Sequence, residues 1–276
     1  MANRKELDPG ASPRAAFGER LRRLREERGW TQDELSARTG YSASHISGVE
    51  TGARTPTAKF TASTDRALGT GDALTRQGAA TRNSAILDGF PEFVAHEGRA
   101  TEMWLFEIGA VPGLFQTQAY AAAITRGAVR RGAITHVQAD ERLALLARRQ
   151  QSLARTPAPQ VYVVLDESCI RQHVGGPTVM TEQLDHLVMV ADMPNTVVQV
   201  ATFGLGERRS LNKPLTLVTL ADRSHVSYAE SAHSGQLERD SRFVEPLLTA
   251  YHQLQAEALS QAESVAMIIQ VRKGIS

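Results

Sequence analysis

Residues 31–52, TQDELSARTGYSASHISGVETG, restrict the fold more than any other stretch of the chain. Thr31, with Glu34 three residues later, has the form of a capping box that opens a helix. Leu35 gives that helix one core contact, and Gly40 ends it after barely two turns, as a left-handed glycine cap does. Ser42 then caps a further helix whose inward residues are Ile46 and Val49. Its remaining positions, Ala43, Ser44, His45, Ser47 and Gly48, are mostly short side chains. The major groove of DNA, about 12 Å wide, accepts a helix whose exposed face is not bulky.

The flanks supply a bundle for these two helices. Ser12-Pro13 reads as an N-cap followed by proline at the first helical position. Phe17, Leu21 and Leu24 recur at helical spacing, Arg20, Arg22, Arg23 and Arg25 are read as facing outward, and Gly29 closes the helix. Thr55-Pro56 is expected to start a fourth helix through Phe60, Ala67 and Leu68 to Gly69, and a fifth is expected from Asp72 to about Ala80. Residues 13–80 are therefore read as an all-α five-helix domain, preceded by a flexible arm over 1–12. Residues 1–80 hold thirteen Lys/Arg against ten Asp/Glu, so the basic excess lies here although the whole chain carries only +1. That total excludes a histone-like electrostatic binder and leaves room for a local basic patch.

WTQDELSARTGYSASHISGVETGARTP resembles the helix-turn-helix of the XRE/Cro repressor family. The likeness lies in the Thr-Gln pair, the turn glycine, the Ile-Ser-x-Val-Glu run and the following Gly and Pro. It implies double-stranded DNA as a partner, with Gln32 anchoring a phosphate, Ser42, Ala43, Ser44 and Ser47 facing bases, and His45 and Arg54 touching the backbone. It also implies a homodimer on two half-sites about one turn apart. Gly48 departs from a good helix interior, at up to about 1 kcal/mol relative to alanine. Thr61 and Thr64 stand where that family has apolar residues, which predicts a marginal bundle. The reading face lacks Arg, Gln and Asn, so indirect readout, or Arg4 and Lys5 of the arm in the minor groove, would supplement it.

After a helical connector expected over 81–100 and broken at Gly89 and Pro91, helix and strand patterns alternate. MWLFEIGAV, VYVVLDE, TVVQVATF, LTLVTL and SHVSYAE are strand candidates, the last two a hairpin across Ala221-Asp222-Arg223. Helices are expected at TQAYAAAI, His136–Arg155, Met180–Ala191 after a Thr178 cap, about Gln236–Leu259, and a last one opened by the Ser260–Glu263 capping box. The fold class is α+β: the helical domain, then over 101–276 an α/β domain with a four- or five-stranded sheet and flanking helices. VPGLFQTQAYA, RLALLARRQQSLAR, VLDESCIRQHVGGPTVMTEQLDHL and YHQLQAEALSQAESVAMI resemble the C-terminal domain of a large group of actinomycete regulators, among them WhiJ-like and antitoxin-like members. The resemblance implies control by a small protein encoded nearby. The alternatives are a small-molecule ligand, or an antitoxin-like module that sequesters its neighbour.

Chemistry of other kinds finds little support. Cys169 is read as a buried, inert thiol. No apolar stretch reaches the ~20 residues of a membrane span, and no secretion signal is present, so a cytoplasmic protein is expected. Asp166 and Glu167 are adjacent, so on a strand they face opposite ways and suit capping or salt bridging. Glu182 and His186 are read as a surface ion pair on one helix face, too few for zinc. No enzyme activity, metal or cofactor is expected. Phe115 and Gln116 in PGLFQT sit on a strand-to-helix turn capped by Thr117, and are carried with Arg148 and Arg149 as candidate partner or ligand contacts. Gln150 is grouped with the two arginines. The terminal helix is read as folding back on the core.

Overall fold

Hydroxyl caps and left-handed glycines set the bounds of the first helices. In the computed structural model, which describes residues 13–82, 89–230 and 235–275, these are α1 (Pro13–Glu26), α2 (Gln32–Thr39), α3 (Ala43–Glu50), α4 (Ala58–Leu68) and α5 (Ala73–Arg82). Thr31 and Glu34 make the capping box, and Gly40 and Gly69 end α2 and α4 at φ 77° and 63°. Thr57, rather than Thr55, caps α4, its side chain accepting from the Phe60 amide. Phe17, Leu21, Leu35, Ile46, Val49, Phe60, Leu68 and Leu74 form the core. Thr61 and Thr64 are fully buried, yet both hydroxyls donate to carbonyls of their own helix, Thr61 to Ala58 and Thr64 to Phe60 and Thr61. Neither is left unsatisfied, so the polar pair does not carry the cost of an orphaned buried hydroxyl. Ser12 and the arm with Arg4 and Lys5 lie outside the described residues.

By its contacts the chain divides into two compact units, 1–84 and 85–276. The chain as a whole is α+β, as expected, and the second unit carries a mixed sheet of six strands where four or five were expected: β1 (Glu102–Glu107), β2 (Gln160–Asp166), β3 (Thr196–Ala201), β4 (Leu215–Thr219), β5 (His225–Glu230) and β6 (Gly235–Glu238). Their order is β3-β2-β1-β4-β5-β6, with β1, β2 and β3 parallel and the rest antiparallel. The sixth strand replaces the start of a helix expected from Gln236; that helix, α11 (Ser241–Glu257), begins later, capped by Asp240.

Alternation along the strands divides the core into two. Met103, Leu105, Val161, Val163, Leu165, Val198 and Val200 point to one face, where α10 (Pro177–Ala191) and α12 (Gln261–Lys273) contribute Leu184, Leu187 and Ile268. Trp104, Phe106, Val164, Leu215 and Leu217 point to the other, covered by Val244, Tyr251 and Leu254 of α11. The terminal helix thus folds back on the core. Gly176, not Thr178, caps α10, with Pro177 at its first position.

Part of the expected connector is core. Helix α6 (Phe90–Glu97) buries Phe93 and stacks it on Tyr228 at 4.4 Å. At the β3 margin of the sheet the Val200 amide donates to the Ser264 hydroxyl at 2.9 Å and its carbonyl accepts from the Leu259 amide at 3.0 Å. Among the described residues no helix is long and apolar enough to cross a membrane, and no group of three or more His, Cys, Asp or Glu could hold a metal ion.

Candidate functional site

Helix α3 is anchored by its inner face and open on its outer one. Ile46, Val49 and Glu50 are fully buried. The Glu50 carboxylate accepts Arg25 Nε at 2.6 Å and Nη2 at 2.9 Å, and also the Gln32 amide nitrogen at 2.8 Å. Arg25 further donates to the Trp30 carbonyl at 2.7 Å. One carboxylate therefore joins α1, α2 and α3. Arg25, expected outside, is 7% exposed because the buried Glu50 requires a counter-charge. That hydrogen bond in turn holds the Arg25 guanidinium charged beyond its ordinary range. Gly18 lets the helices close: a Cβ there would lie 2.6 Å from the Val49 carbonyl oxygen and 2.8 Å from that of Glu50.

The outer face carries the serines. Ser42 accepts the His45 amide as N-cap, leaving its O–H to donate. Ser44 is exposed and Ser47 half-exposed, neither hydroxyl bonded to another described residue; Ala43 beside them is half-exposed. Gln32 keeps one amide N–H and its oxygen beyond the bond to Glu50. Arg54 is exposed and its stem lies across α3, so that a Cβ at Gly48 would come within 3.0 Å of Arg54 Cδ. The glycine inside this helix makes room for that stem. His45 is placed differently from Arg54. Its ring packs between Tyr41 and Phe60, at centroid distances of 5.0 and 5.1 Å, with Nε2 enclosed. Burial, and then the neighbouring Arg54, keeps its pKa below the ordinary histidine value.

In the second unit the candidate contacts separate. Phe115 is 3% exposed. Gln116 donates to the Val111 carbonyl at 2.7 Å, and Thr117 caps α7 (Gln118–Arg130) as expected. Arg149, on α8 (His136–Leu153), is not a surface cation. It forms a two-pronged pair with Glu97 at 2.8 and 2.7 Å and covers the Phe90 ring at 4.8 Å, because the carboxylate of Glu97 is buried. Arg148 alone of the two is exposed. Gln150 donates to the carbonyls of Gly113 and Gln116, and buried Gln183 bonds Phe115 and Thr117, so the PGLFQT turn is held from both sides.

Beside this turn lies a cavity of about 600 Å³, walled by Phe115, Gln116, Gln150, Val161, His186 and Val190 among others. His186 makes no ion pair with Glu182; burial lowers its pKa instead. Asp166 caps α9 (Glu167–Arg171) and pairs with Arg209, while Glu167 pairs with Arg171 and accepts the Phe203 amide. Both carboxylates thus cap and bridge as read from the sequence. Cys169 is fully buried, and burial pushes its thiol far up, which suits an inert side chain.

Glu50, Arg25, Gly18 and Glu97 escaped sequence reasoning, yet three of them carried a signal. Arg25 follows Phe17 and Leu21 at intervals of four, Glu50 follows Ile46 by four, and Glu97 follows Phe93 by four. Each charge continues a buried stripe.

Residues 90–270 match the model of a family described as a domain of unknown function (DUF5753), and residues 16–77 match that of a helix-turn-helix domain. An uncharacterized HTH-type transcriptional regulator, y4dJ, of Sinorhizobium fredii (strain NBRC 101917 / NGR234) is 46% identical over 44 residues, 16% of this chain and 57% of that protein. The chain thus spans little more than half the length of the curated relative it matches. No solved structure matches.

Proposed function

The chain belongs to the family of the domain of unknown function DUF5753, which takes up residues 90–270 after a helix-turn-helix domain, and on that premise we propose that it is a DNA-binding transcriptional regulator. The observation that carries the reading is the outward, short-side-chain face of α3 on a helix whose inner face is clamped by Glu50. A helix fixed in this way can enter the major groove without reorganising. Ser44 and Ser47 then meet base edges, Gln32 and Arg54 meet phosphates, and His45 acts by seating Arg54, whose Nη1 lies 3.3 Å from His45 Nδ1. A homodimer would place two such helices on half-sites about one turn, ~34 Å, apart.

The second unit is the part through which DNA binding is controlled. A small protein encoded nearby is the proposed partner, and it regulates only if it binds one state of the chain better than another. Exposed Arg148 is the remaining cation of the original candidate pair.

The experiment is selection of duplexes from a random-sequence pool with the full chain at low salt. Ser44→Ala and Ser47→Ala should shift the selected sequence, whereas Gln32→Ala should weaken all sequences alike. Failure to enrich any duplex, or equal losses on every duplex for the serine variants, ends the assignment. Co-purification with the neighbouring gene product, with and without the selected DNA, tests the control.

A further inference from the structure

We propose that the cavity beside the PGLFQT turn is a binding site for an uncharged, mainly apolar small molecule that carries a hydrogen-bond donor. Its volume of about 600 Å³ falls within the ~300–1,000 Å³ typical of ligand pockets. Leu114, Phe115, Leu153, Val161, Val190 and Met193 give it an apolar wall, and among the described residues no Asp, Glu, Lys or Arg lines it. A charged ligand would lose its water there without gaining a counter-ion. His186, the one titratable group among the described lining residues, is half-buried, and burial favours its neutral form.

The polar groups in the wall set the ligand's hydrogen bonding. The amide nitrogens of three of them donate to backbone carbonyls, Gln150 twice and Gln116 and Asn195 once each. Gln116 donates to Val111 at 2.7 Å, Gln150 to Gly113 at 2.9 Å and Gln116 at 2.8 Å, and Asn195 to Pro159 at 2.7 Å. These bonds fix which end of each side chain is oxygen. The three oxygens bond to no described residue and none is sealed from solvent, so the site offers a set of fixed acceptors. A ligand hydroxyl or amide N–H satisfies them. The same bonds hold the turn in place without a ligand, so little ordering cost falls on binding. Met193 at the wall and Met189 one turn earlier on α10 are 46% and 61% exposed, flexible apolar side chains suited to closing over an apolar guest.

The test uses N-phenyl-1-naphthylamine, an uncharged apolar fluorophore with one N–H, and its sulfonated analogue 8-anilinonaphthalene-1-sulfonate, titrated into the full chain. One uncharged dye per chain is expected, with the sulfonate at least about tenfold weaker. Ala158→Trp, a bulky group on an exposed wall residue, should weaken the dye by a similar factor. If that variant does not melt like its parent, Met193→Arg, which sets a cation in the wall, is read instead. Phe243→Ala, on a residue 61% exposed on α11 and outside the lining, should leave binding unchanged. Absence of dye binding, binding that the wall variants leave intact, equal affinity for the sulfonate, or loss of binding in Phe243→Ala overturns the proposal. Selected DNA is titrated into the same samples. Failure there with the dye site intact removes the regulator reading and leaves the cavity's.

Discussion

With Glu50 changed to Gln, Arg25 keeps its charge but loses the ionised partner that its burial requires. Removing one member of a buried pair typically costs about 3–5 kcal/mol, so Glu50→Gln should unfold the first unit at markedly lower urea, followed by amide hydrogen exchange in α1 to α3. Unchanged protection there would mean that the carboxylate only decorates the bundle. Glu107 predicts the opposite sign. Burial, and then Glu230, raises its pKa to about 7, against an opposing effect of Arg149. An acid whose folded value is raised contributes most at low pH, and stability falls as pH climbs from about 4.3, the ordinary glutamate value, towards that neutral value. Glu107→Gln should therefore melt above its parent at pH 8 and close to it at pH 4. Equal melting at both pH values would remove the burial argument.

At the scale of elements, Asp65 ties α4 to the start of α5 by accepting the Leu74 amide at 2.9 Å and the Thr75 amide at 2.8 Å, with Thr70 Oγ1 alongside. Its own burial works to raise its pKa, and these hydrogen bonds outweigh that and hold the value below the ordinary one. A depressed acid contributes fully above its unfolded value, about 3.9, and the contribution is lost as pH falls through the folded one. Asp65→Ala should thus cost about 1.5–3 kcal/mol at pH 7, as expected for hydrogen bonds to a charged group. The gap to the parent should narrow in acid; a gap independent of pH would assign the loss to packing alone.

Elements such as these were legible in the sequence where their signals are local. The capping boxes at Thr31 and Ser260, the turn glycines and the Thr117 cap are read from three or four residues, and the structure places them there. Strand β6 was not legible. GQLE has one apolar residue and becomes a strand through its pairing with β5, with Leu237 opposite Tyr228. Arg149 was misplaced for a related reason, since its partner Glu97 lies fifty-two residues away. The outward serines of α3 were read directly, whereas the carboxylate that aims them required three helices to be assembled.

For the whole molecule, a formal charge of +1 gives no general attraction to nucleic acid. The proposed DNA binding must then come from few cations at fixed places, and its salt dependence should be correspondingly shallow. Each phosphate contact contributes about 0.9 to the slope of log K against log salt, so Arg54→Ala should lower that slope by roughly one. A slope unchanged by the variant would take Arg54 off the backbone.

The bonds at Val200 bear on how the second unit can receive another protein. An exposed strand border invites a visitor to line up main chain against main chain. Here the amide and the carbonyl of Val200, near the C-terminal end of that border, are already taken by Ser264 and Leu259. A visiting strand would first have to prise away the corner between the last two helices. Recognition of the proposed partner on this side would therefore depend on side-chain complementarity, which favours a selective associate over any chain with an unpaired edge.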